Sequence, residues 1–150
     1  MKSDCILLAE DDENDVMFLQ RAFARAGITN PVQVAPHGQE AIDYLCGAGP
    51  YANRVLHPFP RLVMLDLKMP KKNGMEVLEW IRAQDCLRGL PVVMFSSSVH
   101  PEEIAQASKL GASAFLTKPS GTLERIEMAR RIKDSWLTEI VPAEEPTGDN

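Results

Sequence analysis

The sequence lacks long apolar segments and has no excess of positive charge. The apolar runs at residues 62–65 and 92–95 have four residues each, whereas a membrane-spanning helix needs roughly 20. Residues 1–4 lack the apolar stretch of a secretory signal peptide. The formal net charge of −5 disfavours non-specific binding to nucleic acid. We therefore expect a cytoplasmic protein with neither a membrane nor nucleic acid as a partner.

Cysteine is also scarce. The three cysteines, Cys5, Cys46 and Cys86, are widely spaced, and no Cys-x-x-Cys pair occurs. This pattern disfavours a disulfide framework or a zinc site and favours reduced thiols. We expect each cysteine to be a small apolar side chain that is buried or half-buried.

Two apolar patterns alternate along the chain. Short continuous runs predict strands that are buried on both faces, and they occupy residues 5–9, 32–35, 62–65, 92–95 and 114–117. Apolar residues at helical spacing between and after these runs predict five helices. The second helix is expected to be short, and the fifth to be long, with apolar positions from Ile126 to Ile140.

The order of strand then helix, repeated five times, predicts an α/β fold. Parallel strands need a crossover, usually a helix, so the sheet is expected to be parallel with helices on both faces. The length of 150 residues suits one domain, which we place at residues 1–141. The connection at 47–60 is long and contains three prolines, so we expect it to be functional or disordered. The acidic segment 142–150 is expected to be a disordered tail.

Acidic residues directly follow two of the predicted strands. Glu10, Asp11 and Asp12 come after the first strand, and Asp66 comes after the third. Ligands of open parallel sheets bind outside the carboxyl ends of the strands, so Glu10, Asp11 and Asp66 converge if these strands are neighbours. Such carboxylates repel one another unless a cation intervenes, and Mg²⁺ prefers oxygen ligands. Alternatively, the acidic residues after the first strand merely cap the first helix, and Asp12 has no other evident role.

The ends of the fourth and fifth predicted strands add a hydroxyl and an ammonium group. Ser96 follows the fourth strand, and Lys118 and Pro119 follow the fifth. A carboxylate nucleophile, a cation, a hydroxyl donor and a lysine are the groups needed to hold a phosphoryl group on Asp66. Taken singly, Ser96 is more simply a turn or cap residue and Lys118 a solvated lysine, so the prediction depends on the ordered set. The bond before Pro119 is a candidate for the cis form.

These residues, together with Met69-Pro70 and Gly74, resemble the receiver domain of two-component response regulators over residues 3–140. The resemblance implies a flavodoxin-like (βα)5 fold in three layers with the sheet order 2-1-3-4-5. It implies phosphorelay signalling rather than enzymatic turnover, apart from self-phosphotransfer and slow autodephosphorylation. It also implies a sensor histidine kinase as a partner, which would meet the first helix.

The resemblance assigns the phosphoryl group and its metal ion to particular residues. It implies that Asp66 is the phospho-acceptor and that Mg²⁺ binds Asp11, Asp66 and the backbone carbonyl of Lys68. Glu10 would act through a bound water. Lys118 would contact the phosphoryl group.

A second group of residues would respond to the phosphoryl group or shape its surroundings. Ser96 and Phe115 would form a switch pair, in which the hydroxyl moves to the phosphate and the ring rotates inward. Phe115 replaces the tyrosine of many members and is equally compatible with a plain core position. Pro70, Gly74 and Pro119 are expected to be structural residues of the site.

A narrower resemblance concerns the phytochrome-linked regulators. Residues 6–11, 66–74 and 96–98 and the insert at 47–60 are similar to those of single-domain regulators that serve phytochrome-type kinases. Lys68 departs from many relatives, which carry a smaller or an acceptor side chain there. We expect Lys68 to cover the phosphoryl group or to pair with Glu10, and to slow phosphate loss by hindering the attacking water.

Signal output is expected to be a change of surface. About ten residues follow the fifth helix, too few for a DNA-binding module. The fourth helix, fifth strand and fifth helix adjoin Ser96 and Phe115, so we expect output and homodimerisation through this face or through the C-terminal helix. The apolar residues near that helix's end, Trp136, Leu137 and Ile140, either pack on the parent sheet or form an interface. Its basic residues are expected to be solvated, namely Arg125, Arg130, Arg131 and Lys133.

Three other functions share parts of this pattern. A flavodoxin-like cofactor binder would carry a phosphate loop rich in Ser, Thr and Gly after the first strand, where this chain is acidic. An aspartate-nucleophile phosphatase or phosphotransferase would carry a second Asp two residues after Asp66, where this chain has Lys68. A receiver that no longer takes phosphate would act by docking alone.

Overall fold

The computed structural model describes residues 4–97 and 100–138. Within them, five parallel strands form one sheet in the order β2-β1-β3-β4-β5. Every residue of the first, third and fourth strands is buried, which explains their uninterrupted apolar sequences. The strands are β1 (Ile6–Ala9), β2 (Val32–Ala35), β3 (Leu62–Asp66), β4 (Val92–Ser96) and β5 (Ala114–Thr117).

Helices cover both faces of this sheet and produce two apolar cores. One core contains Ile6 and Leu8 of β1 and packs against α1 and α5, whereas the other contains Leu7 and packs against α2, α3 and α4. The predicted flavodoxin-like fold in three layers, with sheet order 2-1-3-4-5, is therefore confirmed. The α-helices are α1 (Glu13–Arg25), α2 (Gly38–Cys46), α3 (Gly74–Ala83), α4 (Pro101–Leu110) and α5 (Thr122–Ile132).

Local capping explains where several helices begin and end. The Asp12 side chain accepts hydrogen bonds from the backbone N–H groups that begin α1, and Asn73 forms a reciprocal capping box with Glu76 at the start of α3. Gly47 and Gly111 end α2 and α4 in the left-handed conformation, which glycine adopts without strain. The cap interpretation of Asp12 is thereby confirmed.

The end of the fifth helix differs from the prediction of one long helix. After Ile132 the chain continues through a wider, π-type turn at Lys133–Leu137, which ends when Thr138 donates two hydrogen bonds to the Lys133 carbonyl. Leu137 is buried and Trp136 half-buried against the core beneath α1 and α5, so both pack on the parent domain. Ile140 and the predicted tail at 142–150 lie outside the described residues. No helix among those described is long and apolar enough to cross a membrane.

Two of the four basic residues in this region face α1 rather than solvent alone. The Arg125 guanidinium lies 4.3 Å from the ring centroid of Phe18. Nζ of Lys133 donates to the Ala26 carbonyl at 3.4 Å, at the end of α1. The prediction of a wholly solvated basic face is therefore wrong for Arg125 and Lys133. The other two, Arg130 and Arg131, are exposed as predicted.

Two of the three cysteines also differ from the prediction. Cys5 is buried, but Cys46 and Cys86 are exposed. Cys46 is the last residue of α2, and Cys86 lies in the short 3-10 turn (Asp85–Leu87) after α3. Both positions lie at or just beyond the end of a helix, outside its buried apolar face, so the expectation of buried or half-buried thiols is wrong there.

The connection at 47–60 is ordered in the structure. It contains a 3-10 turn at Gly49–Ala52. The Arg54 guanidinium donates to the carbonyl oxygens of Tyr44 and Leu45 at the end of α2 and of His57 within the connection. The bonds to Tyr44 and Leu45 give the last carbonyl groups of α2 a side-chain donor, so Arg54 joins the insert to α2.

Candidate functional site

Three acidic side chains meet at the carboxyl ends of β1 and β3. Ala9 and Leu65 are partners in the register of these strands, so the next residues, Glu10 and Asp66, are neighbours. Glu10 is 2% and Asp66 5% exposed, whereas Asp11 is exposed. One carboxylate oxygen from each of Glu10, Asp11 and Asp66 lies within 4.8 Å of the other two. The fold thus brings together residues that are 56 positions apart in the chain (10 and 66).

Backbone groups hold the two buried carboxylates in place. The backbone N–H of Asp12 donates to Glu10 Oε2 at 3.0 Å, and that of Lys68 donates to Asp66 Oδ1 at 3.4 Å. Gly74 permits the connection after Asp66 to pack this closely, because a Cβ atom there would lie 2.5 Å from the Asp66 carbonyl oxygen. The structural role predicted for Gly74 therefore has a steric basis.

Lys118 places its ammonium group among the carboxylates. Its Nζ lies 2.8 Å from Glu10 Oε1, 2.9 Å from Asp15 Oδ2 and 3.4 Å from Asp66 Oδ1. The backbone N–H of Lys118 donates to the Ser96 carbonyl at 2.8 Å, so the β4–β5 pairing fixes where the side chain begins. The surface-lysine interpretation of Lys118 is therefore wrong.

Burial and charge act in opposite directions on these titratable groups. Burial raises the pKa of Glu10 to about 7, although Lys118 opposes the change. Burial likewise raises the pKa of Asp66 against the attraction of Lys118. For Lys118, burial alone would lower the pKa, but its contacts with Glu10, Asp15 and Asp66 outweigh burial and raise it. The ammonium therefore stays charged at neutral pH, while burial favours the protonated forms of Glu10 and Asp66.

The donor atoms of this acidic group suit a hard divalent cation. Glu10 Oε1 is buried and lies 2.8 Å from the Lys118 Nζ, but it accepts no well-directed hydrogen bond from the described residues. The acidic group thus offers closely spaced oxygens and excess negative charge, which Mg²⁺ requires of its ligands. Glu10, Asp11 and Asp66 fit such an ion.

Ser96 and Phe115 occupy different environments. Ser96 ends β4 and is 1% exposed, and its neighbour Phe95 pairs with Asp66 across the sheet. Ser96 therefore lies at the same sheet edge as the acidic group. Phe115 lies opposite Met94 and is half-buried against the core beneath α2, α3 and α4, which suits the alternative of a core residue.

Two predictions about individual residues are wrong. Lys68 does not pair with Glu10, because Lys118 occupies that position and the Lys68 side chain extends towards α4, where its Nζ lies 3.8 Å from Glu103 Oε2. The bond before Pro119 is trans, since no peptide bond between described residues is cis.

Two further residues, Asp15 and Glu103, lie near the site and were not predicted from the sequence. Asp15 contacts Lys118 from the first turn of α1, and its spacing of three from the cap Asp12 was the only available indication. Glu103 is a long-range partner of Lys68, which no sequence spacing indicates. Both contacts depend on how helices settle on the sheet.

Comparisons with known proteins identify the family. The family model described as the response regulator receiver domain matches residues 6–130. The chain is 34% identical over 135 residues to the probable methanogenesis regulatory protein FilR2 of Methanothrix harundinacea, covering 88% of this chain and 83% of that protein. It is 32% identical over 139 residues to the response regulator Rcp1 of Synechocystis sp., covering 92% of each.

Solved structures agree with the sequence relatives. The phosphorylated cyanobacterial phytochrome response regulator RcpA superposes with a TM-score of 0.84 at 32% identity, covering 94% of this chain and 99% of that one. The Mn²⁺-bound form of Rcp1 superposes with a TM-score of 0.81 at 30% identity, covering 92% and 97%. The chain therefore belongs to the response regulator receiver family of two-component phosphorelay signalling. Within that family it is related to the phytochrome response regulators.

Proposed function

We propose that this protein accepts a phosphoryl group on Asp66 from a phosphohistidine of a sensor kinase. An Asp66 carboxylate oxygen attacks phosphorus, the phosphorus–nitrogen bond breaks, and the histidine leaves with its electron pair. The observation that supports this most is the placement of Asp66, buried between the acidic Glu10 and the Lys118 ammonium. Charge developing on the transferred oxygens would be stabilised there by groups already in position.

The remaining groups have separate roles in this proposal. Asp11, Asp66 and the backbone carbonyl of Lys68 would hold Mg²⁺, with Glu10 acting through a water, and the ion would supply positive charge to the phosphoryl oxygens. Lys118 supplies a point charge to the phosphoryl group. The Ser96 hydroxyl donates a hydrogen bond to it.

The kinase partner is proposed from the relatives. RcpA is a cyanobacterial phytochrome response regulator, and the chain matches nearly its full length. We therefore propose a phytochrome-type histidine kinase as the donor, with α1 as the surface it meets. A cytoplasmic location follows from that donor chemistry, and residues 1–141 remain the proposed receiver unit.

Output is proposed through the surface formed by α4, β5 and α5. Ser96 moving to the phosphoryl group and Phe115 turning inward would change this surface, and a homodimer through it or through the C-terminal helix would read the change. Light scattering after gel filtration tests this: we expect the mass to double after treatment with acetyl phosphate and Mg²⁺. An unchanged mass would contradict the dimer and leave the phosphoryl chemistry intact.

The central experiment compares Asp66→Asn with a matched neighbour. The protein is incubated with acetyl phosphate, with and without Mg²⁺, and resolved on a phosphate-affinity gel. We expect a shifted band that requires Mg²⁺, is lost in Asp66→Asn and persists in Asp12→Asn, because asparagine also caps a helix. Modification that survives Asp66→Asn would overturn the proposal.

A phosphatase is the alternative that this experiment must also separate. We propose that the protein takes one phosphoryl group per chain and is not an enzyme. Phosphate release is therefore expected to be slow and limited by loss from Asp66. Rapid multiple-turnover release from acetyl phosphate would favour the phosphatase.

A further inference from the structure

A basic groove runs along the outer surface between α1 and α5. Its volume is about 480 Å³, its charged lining consists of Arg21, Arg25 and Arg125, and its apolar lining includes Phe18 and Ile126. No acidic side chain lines it among the described residues. The net charge of the chain is −5, yet three arginines line this one groove.

The arginines of this groove have no counter-charge in the described structure. None of Arg21, Arg25 and Arg125 forms an ion pair with another described residue. Arg125 is held over the Phe18 ring, so its charge is fixed beside the groove. A fourth basic residue, Lys133, lies further along the same pair of helices, where its Nζ contacts the Ala26 carbonyl at the end of α1. Such a concentration of like charge in a cleft attracts an anionic ligand.

The chain itself contains a segment of complementary charge. Residues 139–150 contain no Lys or Arg, and they contain four acidic residues, Glu139, Glu144, Glu145 and Asp149. The residue before this segment, Thr138, donates two hydrogen bonds to the Lys133 carbonyl, so the chain enters the segment close to Lys133.

The length of the segment is sufficient to reach the groove. The seven residues from 139 to 145 span at most about 25 Å when extended. The distance along the helix axis from residue 137 back to residue 125 is about 18 Å at 1.5 Å per residue. Glu144 and Glu145 can therefore reach the three arginines.

We propose that the acidic segment 139–150 docks in the α1–α5 groove of its own chain, with Glu144 and Glu145 paired to Arg21, Arg25 and Arg125. The segment is tethered to one end of the groove, which gives it a local concentration in the millimolar range. The segment of a second copy would compete for the groove only if the protein concentration in solution were also in the millimolar range. The docking depends on no step of the proposed phosphoryl transfer.

Paramagnetic relaxation in the full-length protein tests the docking. A nitroxide is attached at Thr147→Cys in a Cys46→Ser, Cys86→Ser background, where the remaining Cys5 is buried. We expect amide signals of residues 18–25 and 122–126 to lose most of their intensity at about 0.1 M salt. We expect them to recover at about 1 M salt, because the Debye length shrinks from about 10 Å to about 3 Å.

Matched charge reversals identify the groove as the docking site. Arg21→Glu with Arg25→Glu is expected to abolish the broadening, and so is Glu144→Gln with Glu145→Gln, which changes no residue of the groove. Arg130→Glu with Arg131→Glu makes the same charge change on residues that do not line the groove and is expected to preserve the broadening. Equal loss in both arginine pairs would overturn the proposal, as would unbroadened groove signals at low salt.

The same labelled protein distinguishes docking within one chain from docking between copies. Labelled protein without ¹⁵N is mixed with unlabelled ¹⁵N protein, so that only contacts between copies broaden signals. We expect no broadening in this mixture. Broadening of residues 18–25 there would assign the groove to a second copy and overturn docking within the chain.

Discussion

At the scale of single residues, the site places two buried carboxyl groups, Glu10 and Asp66, beside one ammonium group, that of Lys118. Glu10 and Asp66 are almost wholly buried, and Lys118 contacts both of them. The pKa values of both carboxyl groups are raised, because the effect of burial is larger than the opposing attraction of Lys118. The carboxylates of the site therefore repel one another, and a divalent cation or a proton would reduce that repulsion.

The stability of the metal-free protein should accordingly fall as the pH rises towards neutrality. The pKa of Glu10 is 4.5 when unperturbed and about 7 in the fold, so between these values the folded state holds a proton that the unfolded state has released. The free energy of unfolding then decreases with increasing pH, by up to roughly 3 kcal/mol above the folded pKa. Denaturant titrations in EDTA at about pH 5.5 and 8 measure it.

Two variants identify the group responsible for this pH dependence. Glu10→Gln should flatten the dependence, because the amide does not titrate. Glu79→Gln, at an exposed position of α3, should leave it unchanged. An undiminished slope in Glu10→Gln would assign the titration to another group, with Asp66 the first candidate because its pKa is raised in the same direction.

A second prediction at this scale concerns Lys68. Its side chain is 63% exposed beside the site and held loosely by Glu103, where it can hinder a water that attacks the phosphoryl group. Lys68→Asn should therefore shorten the half-life of the phosphorylated protein, measured on phosphate-affinity gels after the donor is removed. Lys72→Asn is the matched control. An unchanged or longer half-life in Lys68→Asn would contradict the shielding.

At the scale of elements, the site depends on how tightly the β3–α3 connection packs. A Cβ atom at Gly74 would lie 2.5 Å from the Asp66 carbonyl oxygen and 2.9 Å from Cε of Met94. The first contact involves backbone, which cannot move away without displacing Asp66. Glycine is thus required by close approach rather than by an unusual backbone angle.

Gly74→Ala should therefore destabilise the fold by about 2 kcal/mol or more, a typical cost of forcing extra volume into a packed site. Gly89→Ala is the matched control, because a Cβ atom there meets nothing within 4 Å. Thermal unfolding of both variants measures the difference. Equal melting temperatures would contradict the steric role of Gly74.

The elements were the most predictable part of the molecule. Continuous apolar runs such as that of β3 indicate strands buried on both faces, and the strand–helix alternation leaves few possible topologies. Acidic Glu10 and Asp66 could be placed at strand ends for the same reason. The exposure of Cys46, the π-type turn after Ile132 and the partners of Lys68 could not be predicted, because each depends on the packing of one element against another.

At the scale of the whole molecule, the basic groove and the candidate site are adjacent. Phe18 and Arg125 line both the groove and a small cavity beside Lys118, which Asp15 and Pro119 also line. A segment docked in the groove would therefore cover part of the surface through which a protein donor approaches Asp66. A small donor needs no such surface.

If Asp66 accepts the phosphoryl group and residues 139–150 dock in the groove, the acidic segment should slow phosphoryl transfer from a protein donor but not from a small one. Glu144→Gln with Glu145→Gln should speed phosphoryl transfer from an autophosphorylated phytochrome-type kinase and leave the rate with acetyl phosphate unchanged. Glu79→Gln with Glu102→Gln removes the same charge from exposed positions outside the groove and should change neither rate. Reactions with each donor are quenched at set times and resolved on phosphate-affinity gels, so that failure of the phosphoryl transfer can be distinguished from failure of the docking. If neither donor transfers a phosphoryl group to the wild-type protein, Asp66 is not the acceptor. If the Glu144→Gln, Glu145→Gln variant reacts faster with both donors, the docked segment is contradicted, because a small donor does not need the covered surface.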